Sequence, residues 1–292
     1  MDNGLERPHR SEKGAMRLSN KARIREEAKK LNPIDDVFFQ VMAEDRLVCQ
    51  EILRTVLNDP GLEVVRITPQ RELRNLQGRS VRLDAECILG NGKHANVEVQ
   101  KSDNDDHQRR VRYNASCLTT NITDPGVKFK KVPDVIMVYI TRFDIFRGGK
   151  TTYHVERTVK ETGKVVHNGL TEIYVNAAVD DGTDTAELMK IFVQDDSYDM
   201  EKFPHVSQQK RYLKEDQEGV RTMTGVMERL LSEERAEGRA EGHAEGQREG
   251  HRAGKTDTIV GLVREGILTI ADAAARLSLS EKEIMELLDN RM

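Results

Sequence analysis

The stretch Val81–Lys101 constrains the fold most, because it has the pattern of two strands joined by the turn Gly90–Gly92. Apolar and polar residues alternate on both sides of the turn, and such alternation separates the two faces of a strand. The polar positions include Asp84, Glu98 and Gln100. We therefore predict a hairpin with one apolar face and one polar, acidic face.

The length of the turn decides whether the two carboxylates share a face. A two-residue Asn91-Gly92 loop would pair Asp84 with Val99 and would put the carboxylates on opposite sides. A three-residue Gly90–Gly92 loop pairs Asp84 with Glu98, and its glycines permit the positive φ that such a loop needs. A one-residue bulge would have the same effect. We predict the second register, because it gathers the polar positions on one face.

Composition limits the class of protein. Charged residues make up 33% of the 292-residue chain but nearly cancel, to a net charge of -4, so any nucleic-acid surface must be local. Cys49, Cys87 and Cys117 form no CxxC pair, which argues for a reducing compartment and against a zinc site or a disulfide framework. The sequence has no apolar run of membrane-spanning length and no signal-peptide core at its N-terminus. We expect a cytoplasmic protein without a membrane partner.

The flanking patterns predict an α/β domain around this hairpin. A helix is predicted from Asp35 or Asp36 to about Asn58, with an aspartate cap at its start, and a strand within Leu62–Thr68. A second helix is predicted over 106–121. The nearly continuous apolar run Asp134–Ile140 fits a central strand that is buried on both faces. Further predicted elements are strands at Thr152–Thr158 and Leu170–Asn176 and helices at 184–194 and about 199–232.

The two ends of the chain differ from this domain. Residues 1–30 are charged and predict a loosely held extension or a frayed helix. Between Arg235 and Gly254 every fourth residue is glycine, which costs a helix about 1 kcal/mol at each position. Either a second helix approaches these glycines closely or the segment is a flexible tether. Residues 256–290 predict a small helical module of helix-turn-helix size, for DNA reading or for protein–protein contact.

The acidic face of the hairpin suggests a metal site. Mg²⁺ prefers hard oxygen ligands and keeps several waters, so Asp84, Glu98, the carbonyl of Val99 and a substrate phosphate would suffice to bind it. Gln100 lies on the same face and would orient a water or contact the phosphate. Lys101 should point to the opposite face unless a bulge turns it.

Two other sets of candidate site residues, the arginines of the second helix and Glu51, can also be interpreted without any role in a site. Arg109, Arg110 and Arg112 lie within four residues of the second helix, next to Tyr113. They cannot all face a core, so some of them contact solvent or an anion. Contact with a phosphate is the favoured interpretation only if the arginines lie beside the carboxylates. Glu51 falls in the first predicted helix, either as a solvated side chain or as part of the site.

Three stretches carry a family resemblance: Asp35–Gln40, Asn75–Lys101 and Arg109–Asn114. Together they resemble the PD-(D/E)XK nuclease superfamily, and within it the recombination-promoting nuclease and transposase family. The similarity spans roughly 31–230. It implies an α/β fold with a restriction-endonuclease-like αβββαβ core and a mixed sheet, followed by a long C-terminal helical extension. It also implies cleavage of DNA that depends on Mg²⁺ or Mn²⁺.

The resemblance assigns roles to particular residues. Asp84 and Glu98 become metal ligands, and Gln100 takes the place of the lysine of the motif. A neutral amide cannot supply the positive charge of that lysine, and Lys101 would supply it only if the strand is distorted. Site residues added to these are the phosphate-binding Arg109, Arg110 and Arg112 and the auxiliary residues Glu51, Asp36 and Tyr113.

The resulting prediction is a DNA endonuclease linked to recombination or transposition. It comprises a flexible segment 1–30, a nuclease-like domain 31–200, a helical stalk 201–255 and a small helical module 256–292. A homo-oligomer formed through the C-terminal helix is expected. Two alternatives stay open: a lapsed nuclease fold that binds DNA or assembles, and a structural scaffold that oligomerises through its tail.

Overall fold

The computed structural model describes residues 21–73 and 80–289. Most of the predicted N-terminal extension and residues 74–79 therefore lie outside the described residues. Residues 21–29 are helical (α1), and Ala28 of this helix joins the core. The other helices of the domain are α2 (Asp36–Met42), α3 (Arg46–Val56), α4 (His107–Ile122), α5 (Asp184–Val193) and α6 (Pro204–Glu215).

The described strands form one six-stranded mixed sheet, in the order β1-β2-β3-β4-β6-β5. The strands are β1 (Val64–Leu73), β2 (Val81–Leu89), β3 (His94–Gln100), β4 (Val135–Thr141), β5 (Thr152–Val155) and β6 (Leu170–Asn176). Neighbours β3, β4 and β6 are parallel, and the remaining pairs are antiparallel. The predicted α/β class and the mixed sheet are confirmed. Every residue of β4 is buried, as its apolar run predicts.

Two predicted helices are each broken in two. The first stops at Met42 and restarts after Asp45, whose side chain accepts a hydrogen bond from the Leu47 N–H at 2.8 Å. The helix predicted over about 199–232 starts only at Pro204 and breaks at Asp216, where α7 (Gln217–Arg264) follows α6. In both places an aspartate provides a helix start that the continuous apolar spacing conceals.

The sheet buries a different core on each of its faces. On the first face, Ala95, Val97 and Val99 pack with residues of α2, α3, α5 and α6. On the second face, Tyr139 and its neighbours of β4 pack with α4. Glu98 pairs with Tyr139 in the β3–β4 ladder, so the polar residues of β3 lie on this second face, which we call the α4 face.

The β2–β3 hairpin has the predicted register. Ala85 pairs with Val97, and the Leu89 N–H donates to the Lys93 carbonyl at 2.9 Å. Gly92 has the positive φ of 81° that the three-residue loop requires. The predicted three-residue register is confirmed as far as the pair Ala85–Val97, and Asp84 and Glu98 lie one step beyond it, where the ladder ends.

The ladder between β1 and β2 is interrupted beside Asp84. Pro69 pairs with Ala85 and Arg71 with Leu83, but the intervening Gln70 has a φ of 48°. A positive φ is uncommon for a residue other than glycine. At the same step β2 changes the core that it lines, because Ala85 packs in the core of the first face, whereas Leu83 packs in the core of the α4 face.

From Arg229 onward the chain forms a second compact unit. The last turns of α7 pack with α8 (Ile270–Leu277) and α9 (Glu281–Asp289) around Ile259, Ala273 and Ile284. Reciprocal capping boxes, Thr269–Asp272 and Ser280–Glu283, begin α8 and α9. The glycine repeat is helical, and a Cβ added at any of its glycines would meet nothing described within 4 Å. None of the helices that the structure describes is both long and apolar enough to cross a membrane.

Candidate active site

Asp84 and Glu98 meet where β2 and β3 separate. The last regular pair of the ladder is Ala85 with Val97. Beyond it, the Asp84 Oδ2 accepts a hydrogen bond from the Val99 N–H at 3.0 Å, and the Asp84 N–H stabilises the ionised Glu98 carboxylate. The backbone of the opposite strand therefore holds each carboxylate, and both side chains point to the end of the β2–β3 ladder.

A third carboxyl group arrives from the start of α2. Asp36 lies in the first turn of this helix, and its carboxyl group hydrogen-bonds to that of Asp84. The preceding residue, Asp35, accepts a hydrogen bond from the Asn32 N–H at 2.9 Å and forms an ion pair with Lys101 at the end of β3. These contacts hold the first turn of α2 against the end of β3. We call Asp36, Asp84 and Glu98 the carboxylate cluster.

The carboxylate cluster has raised pKa values. Burial raises the pKa of Asp84 well above its usual range, and the neighbouring charges of Glu98 and Asp36 add to this effect. Burial raises the pKa of Glu98 to about 7, and partial desolvation of its carboxyl group raises the pKa of Asp36, which is an exposed residue. Like charges in a poorly solvated site disfavour joint ionisation unless a cation offsets them. The cluster is therefore suited to bind a cation.

Arg110 is the positive charge that acts on all three carboxyl groups. Its Nη1 donates to the Gln100 Oε1 at 3.0 Å, and the Gln100 Nε2 donates to the Ser102 carbonyl at 2.9 Å. The Gln100 amide is thus oriented from both ends. A guanidinium group from α4 supplies the positive charge that glutamine lacks at this position of the strand.

The other predicted phosphate-binding residues lie along a groove beside the cluster. The groove has a volume of about 620 Å³ and includes Arg82 and the first turns of α4. Arg109 forms an ion pair with Asp106 at 3.2 Å, and Arg112 is exposed. Tyr113 is half-buried against the core of the α4 face and lines the same groove.

Two predicted site residues are placed away from the cluster. The carboxylate of Glu51 accepts hydrogen bonds from the backbone N–H groups of His205, at 3.3 Å, and Val206, at 2.7 Å. It caps the start of α6, so its contacts join α3 to α6. Lys101 points to the first face of the sheet, as strand alternation predicts, and its charge is taken up by Asp35.

Sequence reasoning missed Asn96 and Tyr139. Asn96 is fully buried two residues before Glu98 and donates its Nδ2 to the Glu98 Oε1 at 2.8 Å. Its Oδ1 has no hydrogen-bond partner among the residues that the structure describes, and the same is true of the Gln70 Nε2. The Tyr139 hydroxyl lies 3.0 Å from the buried His107 Nδ1. Strand alternation offers a signal for Asn96, whereas Tyr139 sits within an apolar run that conceals it.

The oxygen-rich character of the cluster fits a hard divalent cation. Within 21–73 and 80–289, no group of three or more histidine, cysteine or acidic side chains is close enough to enclose a metal ion. The N–H and C=O of a strand residue point to the same side, so the Val99 carbonyl faces Asp84 together with its N–H. Two carboxylates, this carbonyl and the unpartnered Asn96 oxygen suit an ion such as Mg²⁺ that keeps several of its waters.

The sheet order and the acidic strand pair define a restriction-endonuclease-like α/β domain. A family model described as PD-(D/E)XK nuclease family transposase matches residues 35–192, which is more than half of the chain. The chain therefore belongs to this family, whose nucleases are typically dependent on divalent metals. Neither the curated proteins nor the solved structures provided a match.

Proposed function

We propose that this domain is a DNA endonuclease that hydrolyses phosphodiester bonds with Mg²⁺ or Mn²⁺. The observation that carries the proposal is the meeting of Asp36, Asp84 and Glu98, with raised pKa values, at the point where β2 and β3 separate. A stable fold gains nothing from placing like charges together in a poorly solvated site. Perturbed carboxyl groups of this kind are typical of functional sites.

Asp84 and Glu98 would hold the ion, with the Val99 carbonyl as a further donor. A bound divalent cation polarises the phosphate and lowers the pKa of the attacking water. Arg110 would exchange its contact with Gln100 for the non-bridging oxygens of the scissile phosphate, a charge-assisted bond. The amide of Gln100 would then position the water, and Lys101 would act indirectly, by holding Asp35 and hence Asp36.

The groove beside the cluster supports DNA as the substrate. Arg82, Arg109 and Arg112 line it together with Arg110, and none of them is buried. Arginines that contact phosphates give affinity without base specificity and make binding fall steeply with salt. The transposase description of the family is the basis for linking this activity to recombination or transposition.

The decisive test is the substitution Asp84→Ala. Nicking of supercoiled plasmid DNA in Mg²⁺ should be abolished, while the circular dichroism spectrum and the unfolding temperature show an intact fold. The matched control is Asp196→Ala, which removes an exposed carboxylate elsewhere in the domain and should leave nicking unchanged. Cleavage that survives Asp84→Ala would refute the assignment.

A second candidate is a lapsed nuclease that binds DNA or assembles with copies of itself. The contact between Gln100 and Arg110 favours it, because a neutral amide occupies the position of the motif's lysine and the nearest cation is already bonded to it. Calorimetry separates the two candidates. Absence of Mg²⁺ and Mn²⁺ binding, with DNA binding intact, would support the lapsed form.

Self-association through α7 is a further part of the proposal. The glycine repeat leaves open space along this helix, and small residues at such spacing allow close approach of another helix. Sedimentation of the full chain should give a higher oligomer than sedimentation of a chain truncated after Leu231. If the full and the truncated chain have the same oligomeric state, self-association through α7 is refuted, whereas the nuclease proposal is unaffected.

A further inference from the structure

A phenylalanine stands almost wholly in solvent beyond the end of α4. Phe129 is 95% exposed, whereas the other six phenylalanines of the chain are buried or half-buried. It begins the short 3₁₀ turn Phe129–Lys131, and Lys128, Lys130 and Lys131 surround it. All three lysines are exposed, and no described carboxylate pairs with any of them. We call residues 128–131 the basic turn.

The backbone of the basic turn is held in place. The Lys131 N–H donates to the Lys128 carbonyl at 2.8 Å, and the Val132 N–H donates to the Phe129 carbonyl at 3.1 Å. Ile122, at the end of α4, packs against the core of the α4 face. The backbone of the basic turn is therefore ordered by its own hydrogen bonds, a few residues after a helix end that packs on the core.

We infer that the basic turn is a second DNA contact, in which Phe129 stacks on or inserts between bases while the lysines hold the flanking phosphates. An exposed ring between three exposed lysines combines an aromatic surface with positive charge, and every nucleobase offers a π-face on which such a ring stacks. Lysines on both sides of the ring match the phosphates on both sides of a base step. Apolar wedges combined with basic residues are an established means of unstacking and kinking a duplex.

The inference rests on the proposed function, since the same DNA would contact both sites. Helix α4 connects the two sites, because it begins beside the carboxylate cluster and the basic turn follows its end. Arg110 in the first turns of α4 reaches the cluster, and the basic turn follows the last turn of the helix. At 1.5 Å per residue, the 16 residues of α4 span about 24 Å. This length corresponds to about seven base pairs at roughly 3.4 Å each. Arg112, Ser116 and Thr120 lie exposed along the helix between the two sites.

A tryptophan probe tests the contact directly, because the chain contains no tryptophan. In full-length Phe129→Trp, addition of a 20-base-pair duplex in Ca²⁺ without Mg²⁺ should quench the indole emission by about half or more. The matched control is Met200→Trp, at a position that is 44% exposed and lies between α5 and α6, and its emission should stay unchanged. Unquenched emission from Phe129→Trp while the protein is bound to DNA would overturn the inference.

The DNA affinity of variants of the basic turn provides a second test. Loss of one stacked base in Phe129→Ala should weaken DNA binding roughly 5- to 150-fold. Replacing Lys128, Lys130 and Lys131 with alanine should lower the slope of log affinity against log salt by about 2.7 for duplex DNA. Val65→Ala, which removes an exposed apolar side chain on β1, should change neither value. Unchanged values in all the variants, or a Phe129→Trp signal that appears only with anionic lipid vesicles, would overturn the inference.

The two proposals fail separately. DNA binding that depends on Phe129 in a protein without Mg²⁺-dependent nicking would refute the nuclease activity and keep the second contact. Nicking and binding that are both unaffected by Phe129→Ala would refute the second contact and keep the nuclease. Asp84→Ala should lose nicking but retain the quenching of the Phe129→Trp probe.

Discussion

Two regions of the domain bury charge in opposite ways. Lys210 on α6 is fully buried, and its ammonium group donates to the carbonyls of Ile191, Gln194 and Ser197. It also lies 5.0 Å from the centre of the Tyr198 ring. In the carboxylate cluster, by contrast, acidic groups face one another, and the Asn96 oxygen beside them has no described partner.

The difference separates a structural charge from a functional one. Burial lowers the pKa of Lys210 to about 8, yet the group stays protonated at neutral pH and its hydrogen bonds are satisfied. The carboxylate cluster is satisfied only when protons or a cation neutralise it. A buried charge with a complete set of partners stabilises the fold, whereas one without them indicates a missing ligand.

The largest expected effect on stability comes from Lys210→Met. It removes the ammonium group and leaves three carbonyls without their donor, so the free energy of unfolding should fall by about 3–5 kcal/mol. Urea denaturation measures this change. Lys202→Met removes an exposed lysine whose ion pairs with Asp184 and Glu187 are screened by solvent, so it should lower the free energy of unfolding much less. If both variants cost the same, the comparison between satisfied and unsatisfied charge fails.

Glu98→Gln should raise the free energy of unfolding, in contrast to Lys210→Met. The pKa of Glu98 is raised from 4.5 to about 7, so the folded state binds the proton more tightly than the unfolded state. Stability is therefore lost as the pH rises from about 4.5 through about 7. Relative to the wild-type protein, the free energy of unfolding of the variant should be higher by up to about 3 kcal/mol at pH 8 and by less than about 1 kcal/mol at pH 5. Nicking should be lost at every pH. A destabilised variant at pH 8 would contradict the raised pKa.

Mg²⁺ should stabilise the wild-type protein in a pH-dependent way. A ligand at ten times its Kd adds about 1.4 kcal/mol to the free energy of unfolding. Ionised carboxylates are needed for binding, so the rise in Tm should be larger at pH 8 than at pH 6. In Asp84→Asn the rise should be absent. An equal rise in this variant would place the ion elsewhere.

The smallest effect is expected from Lys101→Met. Its ion pair with Asp35 is partly exposed, so its removal should change stability by about 0.5 kcal/mol or less. If Lys101 acts only by holding Asp35, nicking should fall less than ten-fold, and Asp35→Asn should have a similar effect. A loss of a hundred-fold or more in Lys101→Met alone would make it a catalytic residue.

The sequence predicted the elements whose determinants are local. Turn length and glycine positions defined the hairpin register and the shared face of Asp84 and Glu98. The apolar run defined β4, and strand alternation gave the direction of Lys101. The helix breaks at Asp45 and Asp216 were missed, because the helices on either side of each break pack on one core and keep the apolar spacing continuous.

Other features depend on tertiary packing. Burial of Val111, Ala115 and Leu118 fixes the rotation of α4, and this rotation brings Arg110 rather than Arg109 to Gln100. The assignment of Glu51 to the site missed the start of α6, a partner more than 150 residues away that only the folded chain supplies. The left-handed Gln70 carries no glycine or asparagine signal, so its sequence gives no warning of the ladder break.

The positive torsion of Gln70 has a consequence for substitutions at that position. It lies at the step where β1 and β2 change the core that they line, between the pairs Pro69–Ala85 and Arg71–Leu83. A positive φ is strained for a β-branched residue and free of strain for glycine, so the tolerated changes at residue 70 are set by the backbone rather than by charge. A mutational survey confined to acids and bases would overlook this position.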